Sequence, residues 1–584
     1  MKNAQLSATF DQMADIMEIL GEDRFRINSY RKVARTISDL PVDVTLLLEE
    51  GTLGKMPGIG KSSLAKIEEF IESGRIAAHE ALLAKIPTSL LELLDIQGMG
   101  PKGVKVIYNN LEVTSLDDLR QALADGSIET LPGFGAKKAA AIQKGIEFLE
   151  TSAGRIRLDQ ALEAADMVTG HIERLPGIER IEPAGSVRRR AESIGDVDIL
   201  VTTHPNERKG QLTPKEVIEA FTKAPFVERV LAAGQTKGSA IVQTDTTAVQ
   251  VDVRVVPAES FGAALQYFTG SKQHNVRLRE IAVKAKLKLN EYGLFRGDKQ
   301  IAGATEAAVY EKLGLDFVPP LLREDRGEIE AASAHTLPKL LQLSDIKGDF
   351  HMHTFGSDGR CDIEDMVDAA QALGYAFIGI TDHSESSIVA NGQTPKRLAK
   401  QIKKVHALNA KLKGFTIFAG AEVDILADGA MDFDDKLLAD LDFAIASIHS
   451  GLGSPRDKVT ARTLKAMDNP YVTCIGHPTG RLIGQREAMD LDMAAVVEHA
   501  AQTKTALEIN ANPYRLDLKD THCRMAIEKG VKLAIGTDAH SAASLGLMAF
   551  GVANATRGWA TKADVLNTLT PAQLRRLISK KRPR

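Results

Sequence analysis

At residues 349–359 the chain reads DFHMHTFGSDG, two histidines one residue apart with an aspartate, Asp358, five places beyond the second. Side chains at i and i+2 of a strand share a face, so His351 and His353 present two imidazoles side by side, and the turn from Gly356 to Gly359 carries Asp358 back toward them. That arrangement begins a metal site and calls for further ligands. The later strand-like runs each end in one: His383 in GITDHS, Glu422 in GAEVD, His449 in ASIHS, His477 in IGHP, and Asp538 with His540 in GTDAH. A single histidine near a strand end is ordinarily a satisfied core or surface residue. Six of the 14 histidines in a set of this kind are hard to explain that way. Imidazole and carboxylate donors without thiolates suit zinc, manganese or iron, and the spacing does not choose among them. Cys474, just before His477, reads as a buried strand residue.

A second constellation lies upstream. GSVRRRAESIGDVDIL at 185–200 places Asp196 and Asp198 on one face by the same alternation, and Asp252 in VQVDVRVV lies on another strand-like run. Three carboxylates converging from neighbouring strands cannot all stay ionised cheaply unless cations sit between them. Two magnesium or manganese ions would satisfy them and supply the geometry of in-line phosphoryl transfer. An isolated DxD is usually a solvent-facing strand end. Here Gly185 and Ser186 open the segment, Arg188 and Arg189 follow, and YFTGSKQHNVRLR at 267–279 adds another glycine turn beside basic and amide groups.

The remaining sequence must position these groups. In the first 150 residues a glycine pattern recurs three times, PGIGK at 57–61, QGMGPK at 97–102 and PGFGAK at 132–137, each followed by a helical stretch. The unit implied is helix, glycine turn, helix, with backbone N–H groups at the second helix start able to hold a phosphate oxygen. From about 155 the texture becomes mixed helix and strand. The proline-bearing, charged segment 316–345 reads as a linker, and from 346 apolar strand-like runs alternate with helices, which predicts an α/β barrel or related layered sheet. In a barrel the C-terminal strand ends meet at one face, which would gather the histidine set.

Composition sets limits. A length of 584 residues predicts several domains, and 44% hydrophobic with 26% charged residues is ordinary for a globular chain. No apolar run is long enough for a bilayer, the N-terminus lacks a secretory pattern, and three scattered cysteines form no framework, so a cytoplasmic, reduced setting is expected. The net charge of −4 offers no bulk basic footprint for nucleic acid. The local exception is 251–300, with nine basic against five acidic residues. Any DNA affinity must come from local patches and backbone donors, and so be modest and salt-sensitive.

The order GSxRR, DxD, later aspartate and YFTGS resembles the family X DNA polymerases over residues 1 to about 315, and the glycine turns resemble the helix-hairpin-helix motif of DNA repair proteins. The histidine set resembles the polymerase and histidinol phosphatase (PHP) domain, a distorted barrel that holds up to three metals and hydrolyses phosphoesters. Together they resemble the bacterial family X polymerases that end in a PHP domain. The resemblance implies a multidomain chain: 1–85 and 86–152 as helical DNA-binding domains, 153–315 as an α+β nucleotidyltransferase palm with a thumb-like helical part, and 346–584 as the PHP barrel.

It also implies roles. Asp196, Asp198 and Asp252 would hold Mg2+ or Mn2+, with Asp252 orienting the primer hydroxyl. Gly185, Ser186, Arg189 and Gly195 would surround the incoming triphosphate. Tyr267, Phe268 and Gly270 would pack on its sugar, while Asn275 and Arg279 would touch the base region and template. Gly58, Gly60, Gly98, Gly100, Gly133 and Gly135 would line DNA backbone contacts. His351, His353, Glu422 and Asp538 would form one metal site, Glu422, His449 and His477 a second, and Asp358, His383 and His540 a third, occupied by Mn2+, Zn2+ or Fe2+. Asp382 would orient a ligand or a water.

The implied protein is a monomer acting on gapped or nicked DNA with dNTPs, without a membrane. It would fill short gaps, trim or clean 3′ ends, and also cleave at abasic sites as relatives do. The rivals are a metal-dependent nuclease or phosphatase that uses the polymerase half as a DNA clamp, and a non-enzymatic scaffold for nicks.

Overall fold

The computed structural model describes residues 2–38, 44–49, 51–56, 58–96, 99–152, 155–204, 212–579 and 581. The chain divides into two units, the first comprising Met1–Arg155 with the short segments Gln243–Ala248 and Gly484–Arg486, the second the remainder.

The first unit is helical, from Lys2–Leu20 to Ala136–Ser152. Its buried apolar residues form one continuous core running from Leu6 to Ile146, so the two N-terminal domains expected at 1–85 and 86–152 share a single interior. The glycine turns explain part of that packing. In each, the residue between the glycines is buried (Ile59, Met99 and Phe134), while Gly60, Gly100 and Gly135 face outward.

In the second unit, five strands form a mixed sheet: β1 (Ile178–Pro183), β2 (Val197–Thr203), β3 (Val227–Ala233), β4 (Lys237–Gln243) and β5 (Ala248–Val255), in the order β1-β2-β5-β4-β3. The helix Leu158–Glu173 buries Leu158, Ala161, Ala165, Val168 and Ile172, a spacing of three and four residues that lays one stripe in the sheet's core. β1 runs antiparallel to β2, and β2 parallel to β5. The thumb-like part adds a small antiparallel sheet, Lys288–Asn290, Gly293–Arg296 and Lys299–Ala302, to its helices.

Residues 316–345 are not an extended linker. Val318, Leu322, Ile329 and Ala332 join the core beneath the thumb-like helices, Glu328–Ser333 is helical, and Arg323 and Glu328 are fully buried. Proline and charge mimic a linker in the sequence, but these charges are paired. Arg323 reaches Glu306 at 2.6 Å and Glu328 reaches His274 at 2.7 Å.

The C-terminal region is a parallel sheet of seven strands in sequential order, β6 (Gly348–Asp349), β7 (Phe377–Ile380), β8 (Thr416–Asp424), β9 (Phe443–Ser447), β10 (Val472–Ile475), β11 (Ala506–Asn510) and β12 (Leu533–Gly536). A parallel bridge between Met352 and Ala539, just past β6 and β12, draws the two ends together into a nearly closed barrel. Phe350, Phe377, Phe418 and Phe443 fill part of its interior, edge to face at 5.3–6.5 Å. Gly379 and Gly420 make room for Phe443, whose ring would lie within 2.8 Å of a Cβ at either position. Among the described residues no helix is long and apolar enough to cross a membrane.

Candidate metal centres and nucleic-acid interface

Asp198 and Asp252 are register partners on parallel β2 and β5. Asp196 sits one residue ahead of β2 rather than within it, and is exposed. Burial and the charges of Asp196 and Asp252 push the Asp198 carboxyl up to about 7. Burial also works to raise Asp252, but hydrogen bonds from Lys237, Ser239 and Gln250 hold it below the ordinary carboxylate range, with Lys237 Nζ 2.6 Å from Oδ2. A carboxyl that keeps a proton near neutrality because it is buried beside other carboxylates belongs to a donor set suited to a cation. Gly185 adopts φ +62°, and a Cβ there would stand 3.0 Å from Asp198 Oδ2.

Around this trio, Ser186 lies on the short helix Gly185–Arg188 and Gly195 is exposed beside Asp196. Arg188 forks onto Glu306 at 2.9 and 2.7 Å and reaches Thr269 Oγ1 at 2.8 Å. Arg189 donates to Glu324 at 3.0 Å and to the Thr269 carbonyl at 2.5 Å, against Gly270, where a Cβ would stand 3.2 Å from its guanidinium. Tyr267 and Phe268 meet edge to face at 5.1 Å, and Arg254 stacks 4.5 Å over the Phe268 ring. Asn275 is buried, donating to the Tyr267 carbonyl and accepting from Gln266, both at 2.6 Å. In this arrangement it holds the Tyr267 turn in place. Arg279 is exposed, with Nε 3.3 Å from the Asn275 carbonyl.

The barrel gathers all nine sequence-selected positions at the C-terminal ends of its strands. His351 Nε2 lies 3.5 Å from Glu422 Oε2 and 3.7 Å from Asp538 Oδ1; His353 Nε2 lies 3.7 and 3.1 Å from the same two atoms. Glu422 Oε1 faces His477 at 2.9 Å and His449 at 3.3 Å. Asp358 faces His383 at 3.7 Å, His540 at 3.4 Å and His353 Nδ1 at 3.8 Å. His383 turns its other nitrogen to Glu422 at 2.9 Å. His353 and His383 therefore each border two groupings, which the sequence-based partition into three sets does not describe.

The donor atoms fit metal. His351 Nε2, His353 Nε2 and Nδ1, His383 Nδ1 and Glu422 Oε2 are buried without a hydrogen-bond partner; the first two Nε2 atoms and His383 Nδ1 converge on Glu422 Oε2, while His353 Nδ1 faces Asp358. Buried polar atoms are normally paired, so such a concentration marks a place for cations. Burial opposes charge on Glu422 and Asp538, yet both stay well below ordinary carboxylates because imidazoles surround them. His449 and His540 are held up to about 10 and about 9 by facing carboxylates, while burial and neighbouring histidines push His353 down to about 3. His477 and Asp538 occupy the left-handed region, at φ +26° and +54°. Non-glycine residues are held there only when the surroundings over-determine them, and such positions cluster at functional sites.

Several contributors escaped the sequence reading. Glu508 accepts from His351 Nδ1 at 2.6 Å and from the His477 backbone N–H at 2.5 Å, and Asp424 meets His449 Nδ1 at 2.5 Å. Such partners fix ring orientation and basicity. An acid enclosed by apolar residues in ALEIN, and an acid two places after Glu422, were the available signals. Arg515 Nε lies 3.7 Å from Asp538 Oδ2. Asp382, expected to orient a ligand or a water, accepts from Thr354 N, Thr354 Oγ1 and Ser357 Oγ at 2.8, 2.6 and 2.6 Å, shaping the loop before Asp358. Cys474 is a buried barrel residue whose thiol burial pushes up.

In the helical unit, Gly60 and Gly100 are N-caps of Lys61–Ser73 and Pro101–Leu111, and Gly135 directly precedes Ala136–Ser152. Each has open space where a side chain would be, as does Gly133, and Lys61, Lys102 and Lys137 are exposed just beyond. Gly58 adopts φ +103°. Gly98 lies outside the described residues.

Comparison with known proteins finds family matches along most of the chain. Residues 1–76 match the helix-hairpin-helix domain, 90–147 the SAM-like helix-hairpin-helix tandem, 155–258 the DNA polymerase beta palm, 264–324 the DNA polymerase beta thumb and 349–512 the PHP domain. The chain is 36% identical over 569 residues to the DNA polymerase/3′-5′ exonuclease PolX of Bacillus subtilis (strain 168), covering 97% of each. It is 26% identical over 344 residues to DNA polymerase lambda of Rattus norvegicus, 55% of this chain and 56% of that one. A probable phosphatase of Caldicellulosiruptor bescii is 32% identical over 207 residues, 34% of this chain and 80% of that one.

Proposed function

The chain belongs to the family X DNA polymerases that carry a C-terminal PHP domain, and from that premise we propose how its two centres divide the work. The protein is a DNA polymerase with a metal-dependent phosphoesterase domain. The palm centre fills short gaps from dNTPs, and the barrel centre removes 3′ nucleotides or 3′ blocking groups. The observation that carries this reading is the presence of two separate donor sets in one chain, one of carboxylates alone and one dominated by imidazoles.

At the palm, Asp196, Asp198 and Asp252 hold Mg2+ or Mn2+, and Asp252 orients the primer hydroxyl. Ser186, Arg189 and Gly195 receive the triphosphate beside Gly185. Tyr267, Phe268 and Gly270 form the wall against the sugar, while Arg279 faces the template side. At the barrel, up to three ions of Mn2+, Zn2+ or Fe2+ are held among His351, His353, Asp358, His383, Glu422, His449, His477, Asp538 and His540. When bound, such ions lower the pKa of water and neutralise charge on phosphoryl oxygens. Glu508 and Asp424 fix the orientation of His351 and His449, and Arg515 receives a phosphate oxygen at the rim. Abasic-site cleavage is a further reaction for this centre. The glycine turns grip the DNA backbone, which positions the duplex without reading its sequence. The working form is a cytoplasmic monomer.

The test is a labelled primer on a duplex with a one-nucleotide gap, in manganese. Extension with dNTPs and shortening without them is the expected pair of outcomes. Absence of extension would leave a nuclease with a DNA clamp.

A further inference from the structure

The barrel touches the palm at the turn that carries Arg189. Arg557, at the end of the helix Met548–Arg557, is buried, and its guanidinium donates to the Arg189 carbonyl at 2.7 Å, to Glu324 Oε1 at 2.9 Å and to Asp520 at 2.7 Å. Arg189 Nε shares the same Glu324 oxygen at 3.0 Å. Arg326 closes the chain on Asp520 at 2.9 Å. Three guanidinium groups thus face two carboxylates, a surplus of one positive charge. Three residues along, Glu192 pairs with Arg481 at 2.7 Å, and Arg481 lies four residues past His477 of the barrel cluster. Phe550, on the same helix as Arg557, packs against the palm core.

We propose that Arg557 of the barrel is a positioning residue for nucleotide binding in the palm, sharing Glu324 so that Arg189 stays available to the triphosphate. The inference rests on the reading of Arg189 as a triphosphate contact. Two cations dividing one carboxylate each feel less of its pull. Without Arg557, Glu324 has Arg189 as its remaining guanidinium partner and competes with the nucleotide for it, and the Arg189 backbone loses its anchor. The barrel then does two jobs, its own hydrolysis and upkeep of the polymerase site, through residues that touch neither substrate.

The experiment uses the full-length chain on the gapped duplex and reads KM for dNTP, kcat for extension and the rate of 3′ shortening. Arg557→Met is expected to raise KM about tenfold, with kcat and shortening within about twofold, a coupling of ordinary size between distinct sites. Arg557→Lys is expected to fall between the two. Adding Glu324→Gln to Arg557→Met removes the competing carboxylate and is expected to bring KM back to within about threefold of wild type. An unchanged KM in Arg557→Met, alongside a raised KM in Arg189→Ala, overturns the proposal. So does a raised KM accompanied by a fall in both kcat and shortening that Glu324→Gln does not repair, since that is loss of structure. An unchanged KM in Arg189→Ala instead overturns the underlying reading of that residue.

Discussion

The palm trio and the barrel cluster both crowd carboxylates together, but they differ in where the compensating charge comes from. In the palm, Asp198, buried beside two other carboxylates, keeps its proton to about pH 7, and Lys237 makes a direct ion pair with Asp252. In the barrel, six imidazoles surround three carboxylates, and His351, His383, His449 and His540 are all held up by facing carboxylates against the pull of burial, so the positive charge is supplied by the imidazoles. The first set is all oxygen and partly open, which suits a hard ion that arrives with a phosphorylated substrate. The second is nitrogen-rich and buried, which suits an ion that remains through turnover. The two centres thus offer a cation different donor chemistry, carboxylates alone in the palm and imidazoles with carboxylates in the barrel.

If the centres are independent in chemistry, single changes should separate them. Asp252→Ala is expected to lower extension about a thousandfold while leaving shortening within about twofold, and His353→Ala to do the reverse, the scale being that of losing a preorganised group at a reacting centre. Both are read on the gapped duplex with and without dNTPs. Loss of both reactions in either variant would break the comparison.

The proton inventory sharpens it. Asp198 is an acid raised from 3.8 to about 7, so its proton competes with metal below that pH and is gone above it. Half-saturating metal for extension should therefore rise about tenfold from pH 8 to pH 6. His449 and His540, raised to about 10 and about 9 against the pull of burial, remain protonated across that whole window, and metal must displace a proton at every pH in it. For shortening the same two units should cost about a hundredfold or more. Metal titrations of each rate at both pH values give the two slopes, and equal slopes would contradict the contrast in compensation.

A smaller effect tests how the barrel holds its imidazoles. Glu508→Gln keeps the shape but removes the charge beside His351 Nδ1, and is expected to weaken metal binding about tenfold to a hundredfold with extension untouched. Metal retained after dialysis, measured by mass spectrometry, reads it directly. Retention equal to wild type would assign Glu508 to packing alone.

Most of this contrast was legible in the sequence because ligands at strand ends carry their own punctuation, an apolar run that stops at His, Asp or Glu. The elements that escaped lack such marks. β3, VERVLAA, is exposed along nearly its whole length and so shows no inside-outside alternation. The segment 316–345 reads as solvated because composition cannot reveal that Arg323 and Glu328 are paired in the interior. Orienting acids such as Glu508 are invisible until strand order places β11 beside β10 and β12. The shared roles of His353 and His383 depend on ring direction, which spacing does not encode. Arg557 touches Glu324 across 233 residues, a distance no local pattern spans.

The smallest expected effect concerns the helical unit, whose described residues form no grouping of possible metal ligands. Its three turns place Lys61, Lys102 and Lys137 in solvent beside outward-facing glycines, on a chain whose net charge is −4. With no bulk attraction, each lysine that meets a phosphate should count separately. Lys102→Ala and Lys137→Ala should each weaken binding to the gapped duplex several-fold, equally for every sequence, and reduce the slope of log K against log salt by about 0.9 for each phosphate no longer neutralised. Fluorescence anisotropy across a salt series measures that slope. The double variant should show about twice the reduction, because separate lysines release separate counterions. A slope unchanged in both single variants would mean that these turns are structural corners, and that the buried Met99 and Phe134 rather than the lysines explain their glycines.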